Sequence, residues 1–169
     1  NKLYAVDIDR VALSILRCKI IALFSIIDNE IISAIKLNII NRNILIHGNN
    51  HLNEFDDIFD NSIDFKDVLI DGGFNLVFSN PPYYLLKVNI KNDVLFNEFY
   101  SKLKDKIKRE INYFKKSGLY EFSNQGMLNY YQLSIEMILK MTKKDGEIGI
   151  ICPSSLFGDL TTSRLRKFL

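Results

Sequence analysis

The sequence predicts an α/β fold, a mostly parallel sheet covered by helices on both faces. Three observations predict it. The apolar run "KLYAVDID" ends in acidic residues and passes directly into a stretch of helical period. Strand-like and helix-like segments then alternate along the chain. Finally, the strand-like run "NLVFS" stops on "NPPYY", a polar, proline-locked end of the kind that open α/β sheets turn toward ligands.

The elements follow in order. "KLYAVDID" reads as a buried strand, with Asp9 as N-cap of a helix through Val11, Leu13, Ile15, Leu16 and Ile20. Ile31, Ile32, Ile35 and Ile39 predict a second helix, and "NILIHGN" (43–49) a short strand. An acidic, irregular stretch closes with the turn signal "DGG" at 71–73. The strand 75–79 follows. Apolar residues at 96, 99, 103, 107, 111 and 114 keep helical spacing, with Gly118 as the stop. A helix over about 128–141 leads through "KKDGE" into a strand "EIGIIC" (147–152). Pro153 and a last helix carrying Arg164, Arg166 and Lys167 complete the chain.

The 169 residues amount to one domain, 1–169, with 47% hydrophobic and 25% charged residues, the composition of a soluble globular protein. The net charge of +2 implies no partner by itself, although basic residues concentrate between Lys102 and Lys116. Cys18 and Cys152 lack the spacing of a zinc site or a disulfide framework, which fits a reducing, cytoplasmic setting. His47 and His51 lack a third ligand, so no metal is expected. The longest apolar run, 20–27, is too short for a membrane span.

Three strand ends carry polar side chains: Asp7 and Asp9, then Asn49 and Asn50, then Asn80 to Tyr83. A carboxylate at such an end can accept both ribose hydroxyls of a nucleoside-bearing cofactor, and an Asn at the next can bond an adenine edge. Taken alone, Asp7 and Asp9 make a solvated turn and a helix cap, and Asn49 a turn residue. Asn80-Pro81-Pro82-Tyr83 resists so plain a reading. Asn80 is forced extended by the proline after it, and neither proline offers an N–H, so the Asn80 amide and the Pro81 carbonyl stand rigidly at a strand end with an aromatic ring beside them.

Together these residues resemble the N6-adenine DNA methyltransferases that use S-adenosylmethionine, most closely the group found in type I and type IIG restriction-modification systems. "YAVDIDRVAL" resembles the ribose-binding strand, "ILIHGNN" the adenine-contacting strand and "FSNPPYY" the catalytic motif. "LNYYQLSIEMILKMTKKDGEIGIICPSSLF" resembles the helix and strand that follow. The resemblance implies a Rossmann-like methyltransferase sheet, incomplete at its N-terminus, making 1–169 a partial catalytic domain. It implies cofactor contacts from Asp7, Ile8, Asn49 and Asn50, catalysis by Asn80, Pro81, Pro82 and Tyr83, and double-stranded DNA with a flipped adenine as substrate. A specificity domain or subunit is expected outside this chain, and no membrane.

The chemistry suits these residue types. An adenine amino nitrogen is a poor nucleophile, and two acceptors on its hydrogens stabilise the charge that develops as a methyl arrives. Flipping brings the base out of the stack, and Tyr83 is expected to act by stacking rather than through its hydroxyl. Two departures from the family pattern stand out. An aromatic expected about nine residues after Pro153 falls on Thr162, with Phe157 nearby. The family's first strand and glycine-rich turn are expected upstream of Asn1, between the first strand and strand 75–79, so the 169 residues alone are expected to bind cofactor poorly and to be inactive. Two alternatives use the same residues: a glutamine-N5 methyltransferase acting on a release factor, and an inactive methyltransferase-fold binding module.

Overall fold

Asp9 starts the first helix by accepting the N–H groups of Val11 at 2.8 Å and Ala12 at 3.3 Å on Oδ1, the N-cap bonds that its position after a strand predicts. A computed structural model of the chain describes residues 2–27, 36–46, 65–87 and 97–169. They fall into two compact units, Asn1–Lys66 and Asp67–Leu169.

In the first unit, strand β1 (Lys2–Asp7) leads into helix α1 (Arg10–Ile27), and β2 (Lys36–Asn41) pairs with β1 in parallel. Leu13 is buried, and Leu16, Ile20 and Phe24 continue its side of α1 half-buried. The β1 end is tied to β2: Asn41 Nδ2 donates to the carbonyls of Asp7 and Ile8, and Arg10 Nε donates to Asn41 Oδ1 at 2.7 Å. Phe65 is buried with its ring edge-on to Tyr4.

Two sequence expectations are corrected here. Ile39, assigned to a helix, lies in strand β2, and the strand expected over 43–49 is a turn through 43–46. The cause is local. Asn43 Oδ1 accepts the Leu45 N–H at 3.0 Å, an Asx turn that curls the backbone away from a ladder, while 36–41 finds a partner in β1. Positions 31–35 and 47–49 lie outside the described residues.

In the second unit, a short helix α2 (Lys66–Ile70) turns into β3 (Phe74–Ser79), which pairs in parallel with β4 (Thr142–Ile150). Gly72 and Gly73 make the turn with φ of 91° and 115°, and a Cβ on Gly73 would stand 2.5 Å from the Met141 carbonyl oxygen. β4 begins earlier than the expected 147–152. Thr142 pairs with Phe74, the ladder then skips, and Glu147 pairs with Leu76. The "KKDG" segment, read from sequence as a loop, is thus a bulge within the strand.

Helix α3 (Asn97–Lys116) ends at Gly118, whose φ is 72°. Helix α4 (Tyr130–Met141), capped by the Asn129 side chain on the Tyr131 N–H, is buried at every position from 131 to 138. A helix apolar nearly all round belongs inside a core, and each buried Leu, Ile or Met contributes about 1.5–3 kcal/mol. Helices α5 (Ser155–Gly158) and α6 (Ser163–Phe168) close over it, with Leu156 and Leu165 packed on Tyr131 and Ile135. Each of the two sheets has two strands among the described residues. No described helix is long and apolar enough to cross a membrane.

Candidate functional site

The parallel register of β3 and β4 determines what faces Asn80. Ser79 pairs with Ile150, and the Ile151 N–H donates to the Ser79 carbonyl at 3.1 Å, so both strands end side by side. A shallow groove, largely open to solvent, lies there, lined by Phe78, Ser79, Asn80, Gly149, Ile150 and Ile151. Phe78 pairs with Gly149 across the ladder. Its ring, 77% exposed, lies over that glycine, where a Cβ would come within 2.6 Å of it.

Beyond Ser79 the prolines stop the strand. Pro81 is buried, while Asn80, Pro82 and Tyr83 are exposed. The Tyr83 hydroxyl lies 3.1 Å from Asn80 Oδ1 and 3.0 Å from the Ile151 carbonyl oxygen, sharing one proton between two acceptors. Its ring meets Tyr131 edge to face, 6.3 Å between centroids, and the Tyr131 hydroxyl lies 3.3 Å from Ser155 Oγ. The hydroxyl of Tyr83 therefore joins the end of β4 to the Asn80 amide. An amide oxygen has two lone pairs, which leaves Asn80 Oδ1 able to accept a second donor from the groove.

The segment after the tetrad is fastened to the start of α4. Leu86 donates its N–H to Leu128 at 2.9 Å and Tyr130 donates to Tyr84 at 3.0 Å, and the rings of Tyr84 and Tyr130 lie 6.1 Å apart. Tyr130 in turn gives its hydroxyl to Glu110 of α3. Burial, reinforced by that carboxylate, pushes the Tyr130 hydroxyl well above the ordinary phenol range.

Glu136 went unremarked in the sequence, where its signal is a single acid in an apolar helix. It is fully buried. Its carboxylate accepts the N–H groups of Glu121, Phe122 and Ser123, the Ser123 hydroxyl at 2.6 Å, and Lys140 Nζ at 3.0 Å. Burial acts to raise its pKa, but these donors, Ser123 first, together hold it below the usual carboxylate value. It fastens the segment that leads into Asn129 and α4.

Among the other sequence candidates, Asp7 and Ile8 sit at the carboxyl end of β1, both exposed. Asp7 Oδ1 accepts the Asp9 N–H at 2.9 Å, and among the described residues Oδ2 has no hydrogen-bond partner. Asn49 and Asn50 lie outside the described residues. Thr162 is fully buried and gives its hydroxyl to the carbonyls of Leu156 and Asp159, which removes it from any surface that could meet a base. Phe157 is 72% exposed.

Residues 1–169 match the family model of the Eco57I restriction-modification methylase. No curated protein matches the chain.

Proposed function

The chain belongs to the Eco57I restriction-modification methylase family, and from that membership we propose that the intact protein transfers a methyl group from S-adenosylmethionine to the 6-amino group of an adenine flipped out of double-stranded DNA. The observation that carries the reading is the Asn80 amide oxygen, exposed at the end of β3 beside the groove and fixed by proline on one side and by the Tyr83 hydroxyl at 3.1 Å on the other.

When bound, S-adenosylmethionine would supply an electrophilic methyl group on a sulfonium, the carbon–sulfur bond breaking to leave a neutral thioether and the displaced amino proton passing to solvent. Asn80 Oδ1 and the Pro81 carbonyl accept the two amino hydrogens, draw the nitrogen lone pair out of conjugation and stabilise the positive charge growing on it. Asn80 Oδ1 is held by the Tyr83 hydroxyl at 3.1 Å before the base arrives, so little reorganisation of that acceptor accompanies transfer. The exposed face of Tyr83 offers the flipped base a stacking surface worth about 1–3 kcal/mol. Asp7 accepts ribose hydroxyls, and Ile8 covers the nucleoside from its apolar side.

The test is methyl transfer by the intact protein with tritiated S-adenosylmethionine, offering DNA and a release factor separately, followed by nucleoside analysis. Label in N6-methyldeoxyadenosine is the expected result. Label in a cytosine product, in the release factor, or nowhere would overturn the proposal.

A further inference from the structure

The exposed side of α3 is a second surface with a chemistry of its own. The helix carries seven basic and three acidic residues, whereas the other 149 residues of the chain carry fifteen and seventeen. The charge is also sorted by face. Ile107, Glu110 and Phe114 are buried, with Tyr100, Lys104 and Ile111 half-buried around them. Glu110 is turned inward onto the Tyr130 hydroxyl, so one of the three acids is withdrawn from the surface. The remaining two, Glu98 and Asp105, pair with Lys102 at 2.9 Å and Lys108 at 3.8 Å, all with exposed side chains.

Lys102, Lys106, Arg109 and Lys116 are all exposed and follow one another at helical spacing. At 1.5 Å per residue they form a stripe roughly 20 Å long on the side away from the core. The stripe is connected to the tetrad through packed rings. Phe114 meets Tyr130 at 6.3 Å and Tyr130 meets Tyr84 at 6.1 Å, and Tyr84 directly follows Tyr83. A rigid, extended row of cations matches a strand of phosphates, one charge every 3.4 Å along each DNA strand, better than it matches the scattered carboxylates of a protein surface.

We infer that the outward face of α3 binds the phosphate backbone of duplex DNA. This deepens the reading of DNA as substrate and rests on it. The contact is independent of sequence. It positions the duplex while the tetrad acts on the base.

The experiment measures the affinity of the intact protein for a short mixed-sequence duplex across a salt series, so no recognition sequence is required. Each lost phosphate contact lowers the salt slope by about 0.9. The variant K106Q/R109Q/K116Q should therefore lose about two to three in slope and about a hundredfold in affinity near 0.1 M salt. The charge-preserving counterpart at the same three positions, K106R/R109K/K116R, should keep wild-type behaviour. The variant E98Q/D105N should bind more tightly than wild type, a gain that misfolding cannot produce. An unchanged slope in the triple Gln variant, with the wild type binding DNA normally, overturns the role of α3 and leaves the methyltransfer reading standing. A wild type that does not bind duplex DNA overturns both. Tighter binding of an RNA hairpin than of the duplex, with the same dependence on α3, overturns the assignment to duplex DNA.

Discussion

At the scale of single residues, Asn80 and Tyr83 separate two kinds of contribution. Under the proposed function Asn80 acts on charge that exists only during transfer, so Asn80→Ala should lower kcat at least about a hundredfold while cofactor affinity stays level; steady-state kinetics beside calorimetry check both halves. The sequence offers Tyr83 as a candidate stacking face, an aromatic after two prolines at a strand end, and its ring is half exposed. Its hydroxyl was not legible, because the Ile151 carbonyl at 3.0 Å comes from 68 residues away and reaches it only through the register of β3 with β4. Tyr83→Phe should keep the ring but release the Asn80 amide, lowering kcat several-fold, while Tyr83→Ala should abolish detectable turnover. A Phe variant indistinguishable from wild type would show that proline alone orients Asn80.

Among the elements, α4 was legible because its buried apolar residues are dense enough to exclude other readings, and α3 because Gly118 stops a clean helical period. β2 was misread. Isoleucine serves either a helix or a strand, and the Asx turn at Asn43 and pairing with β1 decided between them. β4 was placed late because Gly146 looks like a loop residue, yet its missing side chain is what lets the bulge approach: a Cβ there would lie 2.8 Å from the Phe74 carbonyl oxygen. Glu136 joins two elements and makes a prediction of its own. Glu136→Gln should cost about 1.5–3 kcal/mol at neutral pH, the worth of bonds to a buried charge. Because its folded pKa is depressed, that contribution is complete above the ordinary value of 4.5 and is lost as pH falls through the lower folded value. Denaturant titrations from pH 7 downward should therefore show the wild type losing its advantage below about pH 4.5, with the Gln variant flatter over the same range; parallel curves would remove Glu136 as the cause.

For the molecule as a whole, the proposed function gives the two units different work. Asp7, in the first, is assigned to the cofactor, and Asp7→Ala should weaken S-adenosylmethionine binding by about tenfold to a hundredfold, measured by calorimetry on the intact protein. The variants in the second unit should leave that constant alone; an Asp7 variant with wild-type affinity would move the ribose contact elsewhere. The α/β class was readable because strand and helix periods alternate, whereas the pairing of strands into two sheets depends on contacts between residues far apart in the chain. The bare glycine beneath Phe78 has an optical consequence. The 169 residues contain no tryptophan, and the exposed ring over Gly149 occupies a place where an indole could lie without a side chain beneath it. Phe78→Trp would set a lamp at the lip of the groove, two residues from Asn80, and its emission should dim as a base stacks nearby, timing the arrival of a nucleotide before any methyl group has moved.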